Sequence, residues 1–238
     1  MTTKETLLLS FLLLAFGSLK GQPAFHDLVV GALGSDQELV NGIQFSNHYG
    51  RIDGQPYFLD GKFREGSVYV NSHWYQHVML RYNLYSQKVE IEYRTAEGHL
   101  NQFMSVAEKM SSFTLNGHVF MRLEFPDEES AYYQVISSGS NVCYIAWKKN
   151  LGSSKTSSNK ENEFTLPKIS YSLKLHKDLG PVRFHNRKTF KEAFPEQMQK
   201  EISKLVKQQK FSFKHPTVIE VETLIRAALQ LYEGDSSL

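Results

Sequence analysis

A single cysteine, Cys143, in 238 residues excludes an intramolecular disulfide. It lies in "NVCYIAW", an apolar run with no activating partner in sequence, and reads as a small core residue rather than a nucleophile. Long hydrophobic runs are equally scarce. The best, Leu7 to Phe16, is ten residues long, well short of the roughly 20 needed to span a bilayer. Familiar catalytic signatures are missing too: there is no G-x-S-x-G, no G-x-x-x-x-G-K-[ST], no H-E-x-x-H and no EF-hand loop. "GALG" at 31–34 lacks the third glycine and the following helix of a dinucleotide site. These gaps remove the easily recognised reaction classes, while a site assembled from distant residues stays open.

What is present begins with an address. Lys4 and the amino terminus precede the short apolar run, and a polar stretch ends at Gly21-Gln22. That layout predicts a secretory signal over residues 1–21. Cleavage after Gly21 leaves an amino-terminal Gln22 but puts Leu19 at the outer recognition position. Cleavage after Gly17, with Ala15 outside it, fits the small-x-small rule better. The 217 residues after Gly21 can bury a core without covalent staples. The expected location is periplasmic or extracellular, with no transmembrane span in the mature chain.

Residues 25–149 are mostly strand-like. "KVEIEYR" sets Val89, Ile91 and Tyr93 against Lys88, Glu90, Glu92 and Arg94, and "HVFMRLEF" alternates in the same way. A period of two marks a strand with one buried face. Asp53-Gly54, Asp60-Gly61, Asn116-Gly117 and Gly139-Ser140 punctuate the runs. Further candidate strands are "DLVVGAL", "GSVYV", "VMLRYNLY", "SFTL", "AYYQVIS" and "NVCYIAW". In "MLRYNLYSQKVEIEY" the pattern predicts a hairpin turning near Ser86-Gln87. Leu80, Tyr82 and Leu84 then share a face with Val89, Ile91 and Tyr93, and Arg81 and Asn83 point the other way.

"NLGSSKTSSNKENE", 150–163, has Leu151 as its one aliphatic residue and reads as a flexible Ser/Lys-rich loop reaching to about 166. "KISYSLKLHK" then resumes alternation, with "PVRFHN" as a partner strand. The last fifty residues change period. Thr189 and Glu192 form a capping-box pattern, Pro195 restarts the helix, and Met198, Ile202, Leu205 and Val206 make a narrow apolar stripe. After an extended "FSFKH", Thr217 and Glu220 cap a second helix that Gly234 can end. Val221, Leu224, Ile225, Ala228, Leu229 and Tyr232 form its wide apolar face. The fold class that follows is α+β: a mostly antiparallel sandwich or open barrel over 22–187, then a pair of helices over 188–238 packed on it.

Charge divides the chain. Residues 22–147 hold 8 Lys/Arg against 14 Asp/Glu, whereas 148–215 hold 16 against 6. The basic arm can dock on the acidic body or meet an anionic envelope surface. For the second use the candidates are Lys200, Lys204, Lys207 and Lys210. No cofactor, metal or catalytic residue is assigned, and nucleic acid is not an expected partner. "HWYQH", His73 to His77, would suit a metal on a helix. Its aromatic and β-branched surroundings favour a strand, on which four residues span about 13 Å, too far for two ligands each about 2 Å from zinc. Tyr57, Phe58, Tyr69, Trp74, Tyr75, Tyr82, Tyr85 and Tyr93 crowd one stretch, as cross-strand pairs or as an exposed platform for a ligand.

"PYFLDGKFREGSVYV", then "VMLRYNLYSQKVEIEY", and the ending "KTFKEAFPEQMQKEISKLVKQQKFSFKHPTVIEVETLIRAAL" together resemble a family of exported Bacteroidetes proteins of unknown function. The resemblance implies export and a β-rich body with a Lys-rich helical ending. It carries no activity, and the Ser-rich stretch at 150–163 departs from its pattern. The expected function is a non-catalytic binding or scaffolding protein of the cell envelope, whose partner is an anionic envelope surface or another envelope protein. Two other readings stay open. A carrier would hold an apolar ligand in a cavity lined by Leu80, Tyr82, Val89 and Ile91. An envelope hydrolase would gather His with Asp or Glu from different strands.

Overall fold

The computed structural model describes residues 52–94, 100–104, 110–125, 129–153, 162–175 and 180–235. The signal region with Gly21 and Gln22, the strand expected at "DLVVGAL", and the centre of the 150–163 stretch lie outside the described residues. Ten strands form one antiparallel sheet: β1 (Arg64–Val70), β2 (His73–Asn83), β3 (Lys88–Arg94), β4 (Leu100–Met104), β5 (Met110–Leu115), β6 (His118–Leu123), β7 (Ala131–Ser138), β8 (Asn141–Lys148), β11 (Lys168–Lys174) and β12 (Val182–Phe184). β9 (Leu151–Ser153) and β10 (Asn162–Phe164) form a separate two-stranded ladder, and Asp53 bridges to Glu163 of β10. The ends of the loop expected at 150–166 are therefore a small hairpin. The sheet order is β12-β11-β8-β7-β6-β5-β1-β2-β3-β4. Apart from the β1–β5 and β8–β11 contacts, it is a meander in which neighbours in sequence are neighbours in space.

The sheet is open but strongly curled. β2 and β7 are separated by three strands, which in a flat sheet would hold them about 19 Å apart. Yet the rings of Tyr82 and Tyr132 lie 5.9 Å apart, and Tyr82 also meets Phe113 and Phe120 at 5.4 Å. The Lys149 amide donates to the Leu84 carbonyl at 3.1 Å, so the β2–β3 turn reaches the end of β8. Curling lets the inner face of one sheet fill its own core, which is how an α+β chain of this length closes without a second full sheet.

The expected hairpin forms with Leu80 opposite Ile91 and Tyr82 opposite Val89, turning through Leu84–Gln87. Asn116 and Gly117 both have positive φ, at 51° and 81°, and turn β5 into β6 as an Asn-Gly pair does best. In β6 the buried face carries His118 and Phe120, leaving Val119 and Met121 each 41% exposed. Alternation located that strand, and the tertiary fold chose its face.

Helix α1 (Arg187–Glu192) starts one turn earlier than Thr189-x-x-Glu192 predicts. Asn186 is the cap: its side-chain oxygen accepts from the Thr189 amide at 2.9 Å, and the Thr189 hydroxyl oxygen accepts from the Asn186 amide at 3.2 Å. After Pro195, a 3₁₀ turn (Glu196–Met198) leads into α2 (Gln199–Gln208), and α3 (Val218–Asp235) follows, running one residue past Gly234. All six residues of the expected wide face of α3 are buried, against β7, β8 and α2. Glu220 accepts from the Thr217 amide at 2.7 Å and from its hydroxyl at 2.9 Å, and the Glu220 amide donates back to that hydroxyl at 3.2 Å. The Thr217 amide and hydroxyl hold the Glu220 carboxyl below its ordinary value. Its contribution is therefore present above the ordinary carboxylate range and lost as pH falls through the lowered value. Thr217→Ala removes the hydroxyl that accepts from the Glu220 amide and donates to its carboxylate, leaving only the backbone amide on Glu220. It is expected to lower stability by about 1 kcal/mol in urea denaturation at neutral pH, with a smaller loss once Glu220 is protonated.

Candidate functional site

The Arg81 face of the β2–β3 hairpin is covered. The segment before β1 crosses it, pairing Tyr57 with Asn83 through the Phe58 amide to the Tyr82 carbonyl and the Leu84 amide to the Pro56 carbonyl, both 2.8 Å. Arg81 Nε and Nη2 each lie 2.7 Å from Glu90 Oε2. Asn83 Nδ2 donates to Glu90 Oε1 at 3.2 Å, and the Tyr57 hydroxyl donates to Oε2 at 3.3 Å. The guanidinium lies between two rings, 4.1 Å from the centroid of Tyr57 and 4.3 Å from that of Phe63. Desolvated charges of opposite sign, hydrogen-bonded and stacked, form a structural clasp. With Glu90 buried, the recognition surface that alternation leaves available at Arg81 is internal.

A second polar group pins α3 to the sheet. His118 Nδ1 lies 2.8 Å from Glu222 Oε1, Gln134 Nε2 donates to the same oxygen at 2.6 Å, and the Trp147 indole N–H donates to Gln134 Oε1 at 2.8 Å. Eleven residues further along α3, about three turns, Glu233 Oε2 accepts from the Ser138 hydroxyl at 2.6 Å. This chain satisfies buried donors and acceptors between elements. It brings a histidine and a glutamate together, but their shared partner is an amide, not a hydroxyl or thiol nucleophile. Cys143 is fully buried, and that burial pushes its thiol far above the ordinary range, so thiolate chemistry is suppressed there.

The positions expected to line a carrier cavity are filled. Leu80, Tyr82, Val89 and Ile91 all belong to the packed core. The aromatic stretch divides: Tyr57, Phe58 and Tyr82 are core, whereas Trp74 and Tyr85 are exposed at 43% and 39%. His73 and His77 sit on β2, a strand as their context predicts, with a bulge that gives His77 a φ of 57°. Their Nδ1 atoms contact the Asn71 carbonyl at 2.9 Å and Glu65 Oε1 at 2.6 Å. Among the described residues, no group of three or more His, Cys, Asp or Glu is placed to hold a metal. No helix among them is long and apolar enough to cross a membrane.

The basic arm does assemble a surface. Ile202 and Val206 are buried beneath α2, which turns Lys200, Lys204 and Lys207 outward. The i, i+4, i+7 spacing places the three on one helical face. Together with Lys191 of α1 they line a shallow concavity of about 750 Å³, in which Glu201 is the sole acidic residue among the described residues. Glu201 contacts Lys204 at 3.8 Å, and Arg187 ties the helices together by donating to the Ser203 carbonyl at 3.0 Å. Lys210 is not part of it. It lies past the end of α2 with a φ of 51°, beyond the last helical turn. The sequence does not point to Lys191, because eight residues, Pro195 among them, separate it from Lys200, and only the α1–α2 packing closes that gap. No family model, curated protein or solved structure matches this chain.

Proposed function

We propose that this protein is an exported, non-catalytic binding or scaffolding protein of the cell envelope that meets an anionic surface through the lysine face of α2. The observation that supports it is the convergence of Lys191, Lys200, Lys204 and Lys207 on one concavity with a single carboxylate among them. Ammonium groups lining one concavity repel one another, and an anionic partner relieves that repulsion. Flexible lysines suit a diffuse array of headgroups, to which each contributes about 1 kcal/mol near the surface. Export rests on the amino-terminal pattern, with processing after Gly21 to expose Gln22, and agrees with the resemblance to exported Bacteroidetes proteins.

Cosedimentation with phosphatidylglycerol and phosphatidylcholine vesicles tests the reading. Binding is expected to the anionic vesicles alone, weakening steeply with salt. Converting Lys200, Lys204 and Lys207 together to Gln should reduce it about a hundredfold. Lys210→Gln, outside the concavity, should change it several-fold at most. Retention of binding by the triple variant would sink the proposal.

A further inference from the structure

A separate cavity, of about 300 Å³, opens where the end of β8 meets the start of α3. Its floor is made by Phe58, Leu84 and Trp147, all core side chains. Leu166, 64% exposed, stands at its rim. The volume lies at the small end of ligand pockets, and an apolar floor with a few convergent polar groups is their usual make-up. Two of its lining residues can carry positive charge, Lys149 and His215, and none of the described lining residues is acidic.

Lys149 is the informative group. Its Nζ donates to the carbonyl of Gln55 at 2.6 Å, a neutral acceptor that engages one of three ammonium protons. Half-burial lowers its pKa from the ordinary lysine value, as expected where an ammonium is desolvated without a compensating anion. The floor beside it is rigid. The Trp147 indole is held by Gln134, and the Phe58 ring packs against Trp147, Phe120 and His118 at centroid distances of 5.7, 5.1 and 5.3 Å. A fixed apolar slot with one under-compensated cation at its side is complementary to a molecule with an apolar body and one negative end. A lone ammonium, a point charge without the planar fork of arginine, matches a monoanion better than a phosphate.

We propose that this cavity binds a small amphipathic carboxylate, its apolar body against Phe58, Leu84 and Trp147 and its carboxylate at Lys149. The site is distinct from the α2 lysines and independent of the surface-binding role assigned to them.

Trp147 is a built-in reporter, since Trp74 is the only other tryptophan. In a Trp74→Phe background, ω-bromo-octanoate should quench the remaining fluorescence saturably, and octanoate should compete. Octylamine, with the same apolar body and the opposite charge, should compete at least tenfold more weakly. Lys149→Met should weaken octanoate about tenfold or more, the worth of a charge-assisted hydrogen bond, while octanol changes no more than about twofold. Lys149→Arg should keep most of the octanoate affinity. Equal competition by octanoate and octylamine, absence of saturable quenching, or unchanged affinity in Lys149→Met would each overturn the assignment. If Lys149→Met fails to fold, the octanoate–octylamine comparison on the unaltered side chain still decides it.

Discussion

Arg81→Ala is expected to destabilise the fold by about 3–5 kcal/mol, among the largest effects of any single truncation in this chain. The loss comes mainly from what stays behind. Glu90 keeps a carboxylate buried under the segment that carries Tyr57 and Phe63, and it loses both N–H donors on Oε2. The weaker bonds from Tyr57 and Asn83 cannot replace a full opposite charge. The two rings also lose the cation between them, and the covering segment loses its grip on the hairpin. Arg81→Lys restores the charge but neither the planar stack nor the second N–H, so it should fall between wild type and alanine. Urea denaturation measures the series. If Arg81→Ala costs under about 1 kcal/mol, the clasp is an exposed pair of little consequence. Limited proteolysis should show the same order, with the residues before β1 cut first in Arg81→Ala.

Gly66→Ala is the second, with an expected loss on the order of 3 kcal/mol. Gly66 has an ordinary φ, so conformational freedom is not why glycine is there. β1 lies between β2 and β5, and at Gly66 the β5 backbone comes so close that an added methyl would overlap the Thr114 carbonyl oxygen and press on a methyl of Leu80. Thr114 is held in turn, its hydroxyl accepting from the Ser67 amide at 3.0 Å. Backbone cannot rotate aside as a side chain can, so β1 and β5 must separate. β1–β5 is the junction that joins the β1–β4 meander to the rest of the sheet. The expected result is a lower midpoint in denaturant, with the two halves of the sheet losing amide-exchange protection along that seam. Wild-type stability in Gly66→Ala would mean that the strands have slack there.

Features whose cause is local were legible in the amino-acid order. Alternation placed the β2–β3 hairpin in register because a one-residue slip would carry Leu80 and Tyr82 to the other face. The 3.6-residue stripe of α3 named six buried residues, and Thr217 with Glu220 marked its start, because a cap and a face depend only on neighbours along the helix. Asn116-Gly117 announced its turn for the same reason.

The remaining features depend on residues distant in sequence. Tyr57 and Phe63 close over Arg81 from before β1, turning a candidate recognition face into a buried clasp. Which side of β6 is core was settled by the curl of the sheet, which sets Phe120 against Phe58, Tyr82 and Phe113. Lys191 joins the α2 lysines, and Lys149 meets the floor of Leu84 and Phe58, because helix packing and sheet curl bring them together. Local pattern reports which faces are apolar, but not which element will cover them, since coverage is a long-range choice made by the whole chain on folding.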